Sequence, residues 1–249
     1  MTGAGRGVGA AIAHALAEAG AAVVVAARTL AEIEAVAADL HARGARAWAV
    51  ACDVTDEASV AALGQAAHRH LGDVDLLVNS AGDGASAPLR RISLAEWNRM
   101  LAVNATGTFL CTRAFVTGMV ERGWGRVVNV ASVAGLEGAR YIAHYAAAKH
   151  AVIGFTRAVA AELAGSGVTI NAVCPAYVDT ALTERTVANV RAHAGLGHEE
   201  ALAAVLASAG QERLLGVDEV AAAVLALCRD DAGATNGQSI VLRPGAIAP

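Results

Sequence analysis

Thr2-Gly3-Ala4-Gly5-Arg6-Gly7-Val8-Gly9 runs without a break into Ala10 to Ala19, where Ile12 and Leu16 share one face of a helix. A glycine-rich turn at a helix amino terminus lets backbone N–H groups close on a pyrophosphate at the positive end of the helix dipole. Glycine spacing alone is a weak signal, and such a loop should follow a strand. Here one residue precedes it. An innermost strand is needed to pair with the two strands beside it, because each buried backbone group left unpaired costs about 1–3 kcal/mol. The expectation is that the first strand is missing and that the natural start lies several residues upstream.

Outward from the loop, apolar strand-like runs alternate with alanine-rich helical ones. Ala22–Ala27 is followed by helical Leu30–Arg43, Ala47–Cys52 by helical Asp56–Leu71, and Val74–Asn79, Val127–Ala131, Val168–Val173 and Ser239–Leu242 continue the series. Continuously apolar strands separated by helices predict a doubly wound α/β fold, with a parallel sheet covered on both faces and right-handed crossovers. Neither a repeat nor a composition break divides the chain, so one domain over residues 1–249 is expected. The least regular stretch, residues 176–216, has helical pieces at Glu184–His193 and Glu199–Ser208 and reads either as a lid over a ligand or as a pair of surface helices.

Composition removes several function classes. The 249 residues carry 19 basic and 23 acidic side chains, a formal charge of −4 that offers no long-range attraction to nucleic acid or anionic lipid. The longest apolar run, Val220–Cys228, is far short of the roughly 20 residues that span a membrane. With no leader-like segment, a cytoplasmic location is expected. Cys52, Cys111, Cys174 and Cys228 lie too far apart for a metal knuckle, so no metal is expected.

All but one of the 19 basic residues are arginine, the exception being Lys149. It stands four residues after Tyr145, one of only three tyrosines, in Tyr145-Ala146-Ala147-Ala148-Lys149. That spacing puts both side chains on one helical face, where an ammonium would lower a phenol from its ordinary pKa of about 10 toward neutrality. Tyr141, two turns from Lys149, suits packing better. Ser132 ends the Val127 strand at the carboxyl edge of the sheet, where open α/β sheets bind ligands. Asn104 lies within a helical run that does not favour asparagine. After the second strand the position that often carries an acid for a ribose 2′-hydroxyl is Ala27, followed by Arg28. With Arg6 in the loop, two guanidinium groups beside an absent carboxylate favour a 2′-phosphate, hence NADP(H) over NAD(H), which stays possible.

The ordered set of the Thr2–Gly9 loop, Asp53-Val54, Asn79-Ser80-Ala81-Gly82, Asn104, Ser132, Tyr145-x-x-x-Lys149 and Pro175-x-x-Val178-x-Thr180 resembles the short-chain dehydrogenase/reductase family over essentially the whole chain. Lys149–Thr156 and Ile170–Pro175 bring it nearest to the 3-oxoacyl-thioester reductases, including polyketide ketoreductases. Ser80 where asparagine is frequent and Ala176 where glycine usually follows the proline are departures. The resemblance implies a Rossmann fold and a catalytic set of Asn104, Ser132, Tyr145 and Lys149. It implies a cofactor cleft of Gly3, Gly5, Arg6, Gly7, Val8, Arg28, Asp53, Val54, Asn79, Ala81, Gly82, Tyr145, Lys149, Pro175, Val178 and Thr180. Asp53 and Val54 would sit at the adenine, Asn79 and Gly82 along the ribose, and Thr180 at the carboxamide. Tyr145 would be the general acid, Ser132 would hold the carbonyl oxygen, Lys149 would bind ribose hydroxyls, and Asn104 would hold a relay water.

The resemblance also implies a small carbonyl or alcohol substrate, with a carrier-bound acyl thioester as one form, and a homo-oligomer, commonly a tetramer. Arg185 and Arg191 are the lid residues that could meet a phosphate of such a carrier, although exposed helix arginines are common. The competing readings are an NAD-dependent secondary-alcohol or 3-hydroxyacyl dehydrogenase, and a non-catalytic nucleotide-binding relative.

Overall fold

The computed structural model describes residues 1–244 and 246–247. After α1 (Gly7–Glu18), three strand–helix units follow: β1 (Val23–Ala27) with α2 (Leu30–Ala42), β2 (Ala47–Ala51) with α3 (Glu57–Leu71), and β3 (Leu76–Asn79) with α4 (Leu94–Leu101). The chain continues through α5 (Gly107–Arg122), β4 (Gly125–Val130), α6 (Ala143–Glu162) and β5 (Val168–Pro175). Two helices, α7 (Ala181–Ala194) and α8 (His198–Ser208), precede α9 (Val217–Cys228), β6 (Ser239–Arg243) and β7 (Ala246–Ile247).

Successive strand residues point to opposite faces, and both faces are apolar because both are covered. Leu77, Val127 and Ile170 pack with Met119 of α5 and Ala160 of α6. Their neighbours Val78, Val128 and Val173 pack with Ile12 of α1 and Val224 of α9 on the other side. The arrangement is the doubly wound α/β fold that the strand–helix alternation predicts. Strands β3-β4-β5-β6 run parallel and β1-β2 form a parallel pair. The two-residue β7 pairs antiparallel with β6, a hairpin that the expectation of an all-parallel sheet does not include.

Between β1 and β3, Thr2 bridges Ala26 on one side and Asn79 on the other. The Thr2 N–H donates to the Val78 carbonyl at 3.0 Å and the Met1 carbonyl accepts from Ala26 N–H at 2.9 Å. The Met1 ammonium donates to the Val24 carbonyl at 2.6 Å, and its burial pulls its pKa down to about 6. Below these two residues lies an apolar pocket between the strands, lined by Leu16, Val23, Leu63, Val74, Leu77 and Phe115. The innermost position is thus filled only at the carboxyl ends of its neighbours, the end at which the glycine loop, Asn79 and Gly82 come together.

The base of the 176–216 excursion is fixed. Buried Gln211 accepts from Tyr177 N–H at 2.8 Å and donates to the Tyr177 and Arg213 carbonyls at 3.1 and 3.2 Å. Val178 bridges Leu215, and Val187, Ala201 and Val205 form a small core of their own between α7 and α8. Both helical pieces expected there are present, α7 beginning three residues earlier because Thr180 caps it through Thr183 N–H at 3.5 Å.

Candidate active site

The glycine loop packs directly against the turn after β3. Gly3 has φ +67°, and a Cβ there would lie 2.6 Å from the Ala81 nitrogen, so both backbone conformation and space demand glycine. The loop delivers the chain to Arg6, whose extended backbone starts α1 without any side-chain cap on the first helical N–H groups. Uncapped N–H groups at a helix start, reached over side-chain-free backbone, fit a pyrophosphate. Thr180, at the head of α7, closes over the loop, its methyl 3.5 Å from where a Gly7 Cβ would stand.

Ser132 follows β4 and opens a short turn, Val133–Gly135, by accepting from Ala134 N–H at 3.1 Å; its hydroxyl donates weakly to the Pro175 carbonyl at 3.4 Å. That turn packs on α6, which carries Tyr145 and Lys149 one turn apart. The Lys149 ammonium lies 5.8 Å from the centre of the Tyr145 ring and donates to the Val130 carbonyl at 3.0 Å. A Cβ on Gly82 would be 3.5 Å from the ammonium and 2.8 Å from the Asn104 carboxamide oxygen, so the bare backbone there leaves room between them. Asn104 sits in a π-helical turn, Ala102–Thr106, rather than in the α-helix its surroundings suggest. One-turn π segments inside α-helices are frequently functional. The turn lets the buried carboxamide donate to the Asp83 and Met100 carbonyls, both at 3.0 Å.

The electrostatics differ from the expectation in one respect. Burial pushes the Tyr145 phenol up to about 12, partly opposed by the Ser132 hydroxyl, and burial draws Lys149 down to about 8. Burial, not the ammonium, sets the direction of the phenol's shift, which is away from neutrality. The phenol therefore carries its proton at neutral pH.

Other predicted residues are distributed as follows. Asp53 accepts from Thr55 N–H at 2.9 Å, which outweighs burial and holds its carboxyl below the usual carboxylate range. Val54 is buried against Gly107. The Asn79 side chain is held between the sheet and α5, where it donates to Thr112 Oγ1 at 3.0 Å and Asn129 Oδ1 at 2.9 Å. Pro175 and Val178 line the strand-to-lid passage, and Arg28 is exposed at the end of β1. Tyr141 is 58% exposed with φ +69°, a conformation bulky side chains rarely adopt, so it packs in no core.

Three residues that sequence reasoning passed over shape the site. Glu32, on the first turn of α2 and four residues beyond Arg28, meets the Arg6 guanidinium at 3.2 Å, so one of the two guanidinium groups expected at the cofactor has a carboxylate partner. Asp83 meets Arg185 of α7 at 2.8 Å, which gives that arginine a partner within the chain. Gln211 clamps the base of the 176–216 excursion. The acidic residues following β3 and on the first turn of α2 are plain in the sequence, but their partners are remote along the chain and only the fold brings them together.

A glycine loop at a parallel sheet's carboxyl edge, with Ser, Tyr and Lys gathered beside it, defines an NAD(P)-dependent oxidoreductase of the α/β class. The family model described as short chain dehydrogenase matches residues 1–191, and the chain belongs to that family. It is 43% identical over 185 residues to a 3-oxoacyl-[acyl-carrier-protein] reductase of Synechocystis, covering 74% of this chain and 75% of that one. It is 38% identical over 245 residues to a D-threitol dehydrogenase of Mycolicibacterium smegmatis, covering 98% and 90%. Among solved structures it superposes on a single-substitution variant of actinorhodin polyketide ketoreductase with NADPH at TM-score 0.93 and 34% identity, covering 98% and 94% of the two chains.

Proposed function

We propose that this protein reduces a ketone to a secondary alcohol at the expense of NADPH, with a 3-oxoacyl thioester or similar 3-oxo compound as substrate. The observation that carries the reading is the convergence of Ser132, Tyr145 and Lys149, with the phenol protonated and the ammonium buried. The hydride for the carbonyl carbon would come from a nicotinamide held beside Tyr145. Tyr145 then gives its proton to the carbonyl oxygen as general acid, and Ser132 fixes that oxygen by a hydrogen bond. Lys149 holds positive charge beside the phenolate that is left and binds ribose hydroxyls. Asn104 positions the Asp83 backbone beside this group and carries the relay water.

For the cofactor, the N–H groups opening α1, with Gly3, Gly5, Gly7 and Val8, hold the pyrophosphate. Asp53 and Val54 take the adenine, Ala81 and Gly82 the ribose backbone, and Pro175, Val178 and Thr180 the carboxamide. Arg6 and Arg28 recognise the 2′-phosphate. Glu32 beside Arg6 favours a second reading, NAD-linked oxidation of a secondary alcohol, since the carboxylate competes for that guanidinium. Phe109 of α5, 40% exposed with Arg113 stacked on it, supports self-association through this helix into a homo-oligomer. Among the described residues no helix is long and apolar enough to cross a membrane.

The test is NADPH oxidation across 3-oxoacyl thioesters, simple ketones and quinones, with NADH and secondary alcohols run in parallel. Turnover of 3-oxo compounds with NADPH at least tenfold above NADH supports the reading. Oxidation of alcohols with NAD and silence toward ketones would replace it by the second.

A further inference from the structure

The mouth of the cleft is ringed by charges that the reduction itself does not use. Asp83 follows Gly82, and its main chain is tied to Asn104 in both directions, N–H to Oδ1 at 3.4 Å and carbonyl to Nδ2 at 3.0 Å. Its carboxylate accepts from Arg99 of α4 and from Arg185 of α7, each at 2.8 Å, and from Gly84 N–H at 2.9 Å. Arg99 is also forked onto Glu96 by two bonds of 2.8 Å. His144, the remaining titratable group packed here, lies 3.9 Å from Glu96 and is driven toward its neutral form by burial. Two carboxylates and two guanidinium groups therefore cancel; Arg99 spends three donor atoms inside the cluster, whereas Arg185 gives one bond to Asp83 and is otherwise exposed.

This cluster borders the space a substrate must use. Asp83, Gly84, Ser86, Arg185, Leu182 and Thr186 line one pocket. A Cβ on Gly84 would lie 3.3 Å from Leu182 and 3.6 Å from the Tyr145 ring, so only the bare Gly84 backbone separates this pocket from the phenol ring. Without Asp83, Arg185 and the one Arg99 nitrogen that Glu96 does not hold would face it unopposed, a carboxylate trap. With Asp83 in place, an incoming carboxylate meets a like charge whose side chain is 24% exposed. Burial would raise that carboxyl's pKa, but Arg99, Gly84 N–H and Arg185 outweigh it and keep the group ionised.

We propose that Asp83 is a specificity-determining residue that admits 3-oxoacyl groups as esters or thioesters and refuses the free 3-oxo acids. The assignment rests on the carbonyl-reductase reading above. Esterification removes the one charge that Asp83 would repel while leaving the reacting ketone unchanged.

The test measures kcat/KM with NADPH for ethyl 3-oxobutanoate and for 3-oxobutanoate. Wild type is expected to prefer the ester at least 100-fold. Asp83→Asn, which removes the negative charge that offsets the two arginines, should cut that ratio at least tenfold, mainly through a lower KM for the acid. Arg185→Gln, which strips a counter-charge from Asp83, should keep the ratio at the wild-type value or raise it, and remains informative if Asp83→Asn does not fold. A wild type that reduces acid and ester equally, a folded Asp83→Asn with the ratio within twofold of wild type, or a fall in the ratio for Arg185→Gln would each overturn the assignment. Turnover of neither compound by wild type would instead overturn the reductase reading, and the assignment with it.

Discussion

Lys149 stands one helical turn beyond Tyr145 with its ammonium 5.8 Å from the phenol ring centre, yet its hydrogen bond goes to the Val130 carbonyl at the end of β4. The lysine is thus anchored to the sheet edge rather than to the phenol. Burial moves the two groups in opposite senses, the phenol to about 12 and the ammonium to about 8. The proton to be donated is secure at neutral pH, and the positive charge that would receive the phenolate is held close to its own titration.

Tyr145→Phe should therefore remove turnover rather than binding. General acid catalysis contributes about 10²–10⁴-fold, so kcat should fall by at least that lower bound while the NADPH dissociation constant stays within about threefold of wild type. Ser132→Ala should lower kcat about 100-fold with an unaltered cofactor affinity, since it removes one hydrogen bond to the developing oxyanion. Stopped-flow turnover beside fluorescence titration of the nucleotide checks both, and substantial activity in Tyr145→Phe would mean that another group is the acid.

The depressed Lys149 pKa has a defined consequence for stability. Its folded value of about 8 lies below the ordinary 10.5, so between those pH values the unfolded chain holds the proton more tightly than the folded one. Stability from this group is lowest below pH 8 and rises as pH climbs toward 10.5. Lys149→Met removes that dependence. Urea titrations at pH 7.5 and 9.5 should show the wild type gaining on the order of 1–2 kcal/mol relative to the variant. A parallel pair of curves would mean that the ammonium is not desolvated.

Much of this site is legible without the fold, and the misses share a cause. The strand runs, the glycine loop and Tyr145-x-x-x-Lys149 are local patterns, set by periodicity of two or of about four residues, and they lie where those periods place them. Asn104 is readable as an oddity in a helix, but the π-turn that accommodates it depends on Asp83, 21 residues away. Glu32 and Gln211 give no signal, because an acid on a helix's first turn and a glutamine after a loop are ordinary until Arg6 and Tyr177 are brought to them. The family resemblance implies that Asn79 lies along the ribose, whereas the strand's alternation turns its side chain to the α5 face of the sheet. The hairpin to β7 is two residues long and carries no periodicity to detect.

Asn79 offers a direct test of that last distinction. Its amide donates to Asn129, whose own amide donates to Thr156 at 2.9 Å, a buried chain from β3 through β4 to α6. Asn129→Ala leaves Asn79 and Thr156 without those partners in the interior, which should cost about 1–3 kcal/mol. Chemical denaturation should show that loss while the NADPH dissociation constant remains within twofold. A large fall in affinity at unchanged stability would return Asn79 to the cofactor.

Gln211 ties together the two ends of the 176–216 excursion. One carboxamide joins Tyr177, at the start of the excursion, to Arg213, near its end, and it is 6% exposed, so water cannot substitute for it freely. Gln211→Ala would leave the Tyr177 N–H and two carbonyls short of partners at the base of α7 and α8, while Val187, Ala201 and Val205 still hold those helices to each other. The two should then move as a unit. Amide exchange across 181–208 should accelerate at least tenfold with little change in the sheet, and KM for the ketone should rise more than kcat falls, because the chemical groups on α6 are untouched. If exchange instead accelerated in the sheet as well, Gln211 would be supporting the whole fold rather than the substrate's cover.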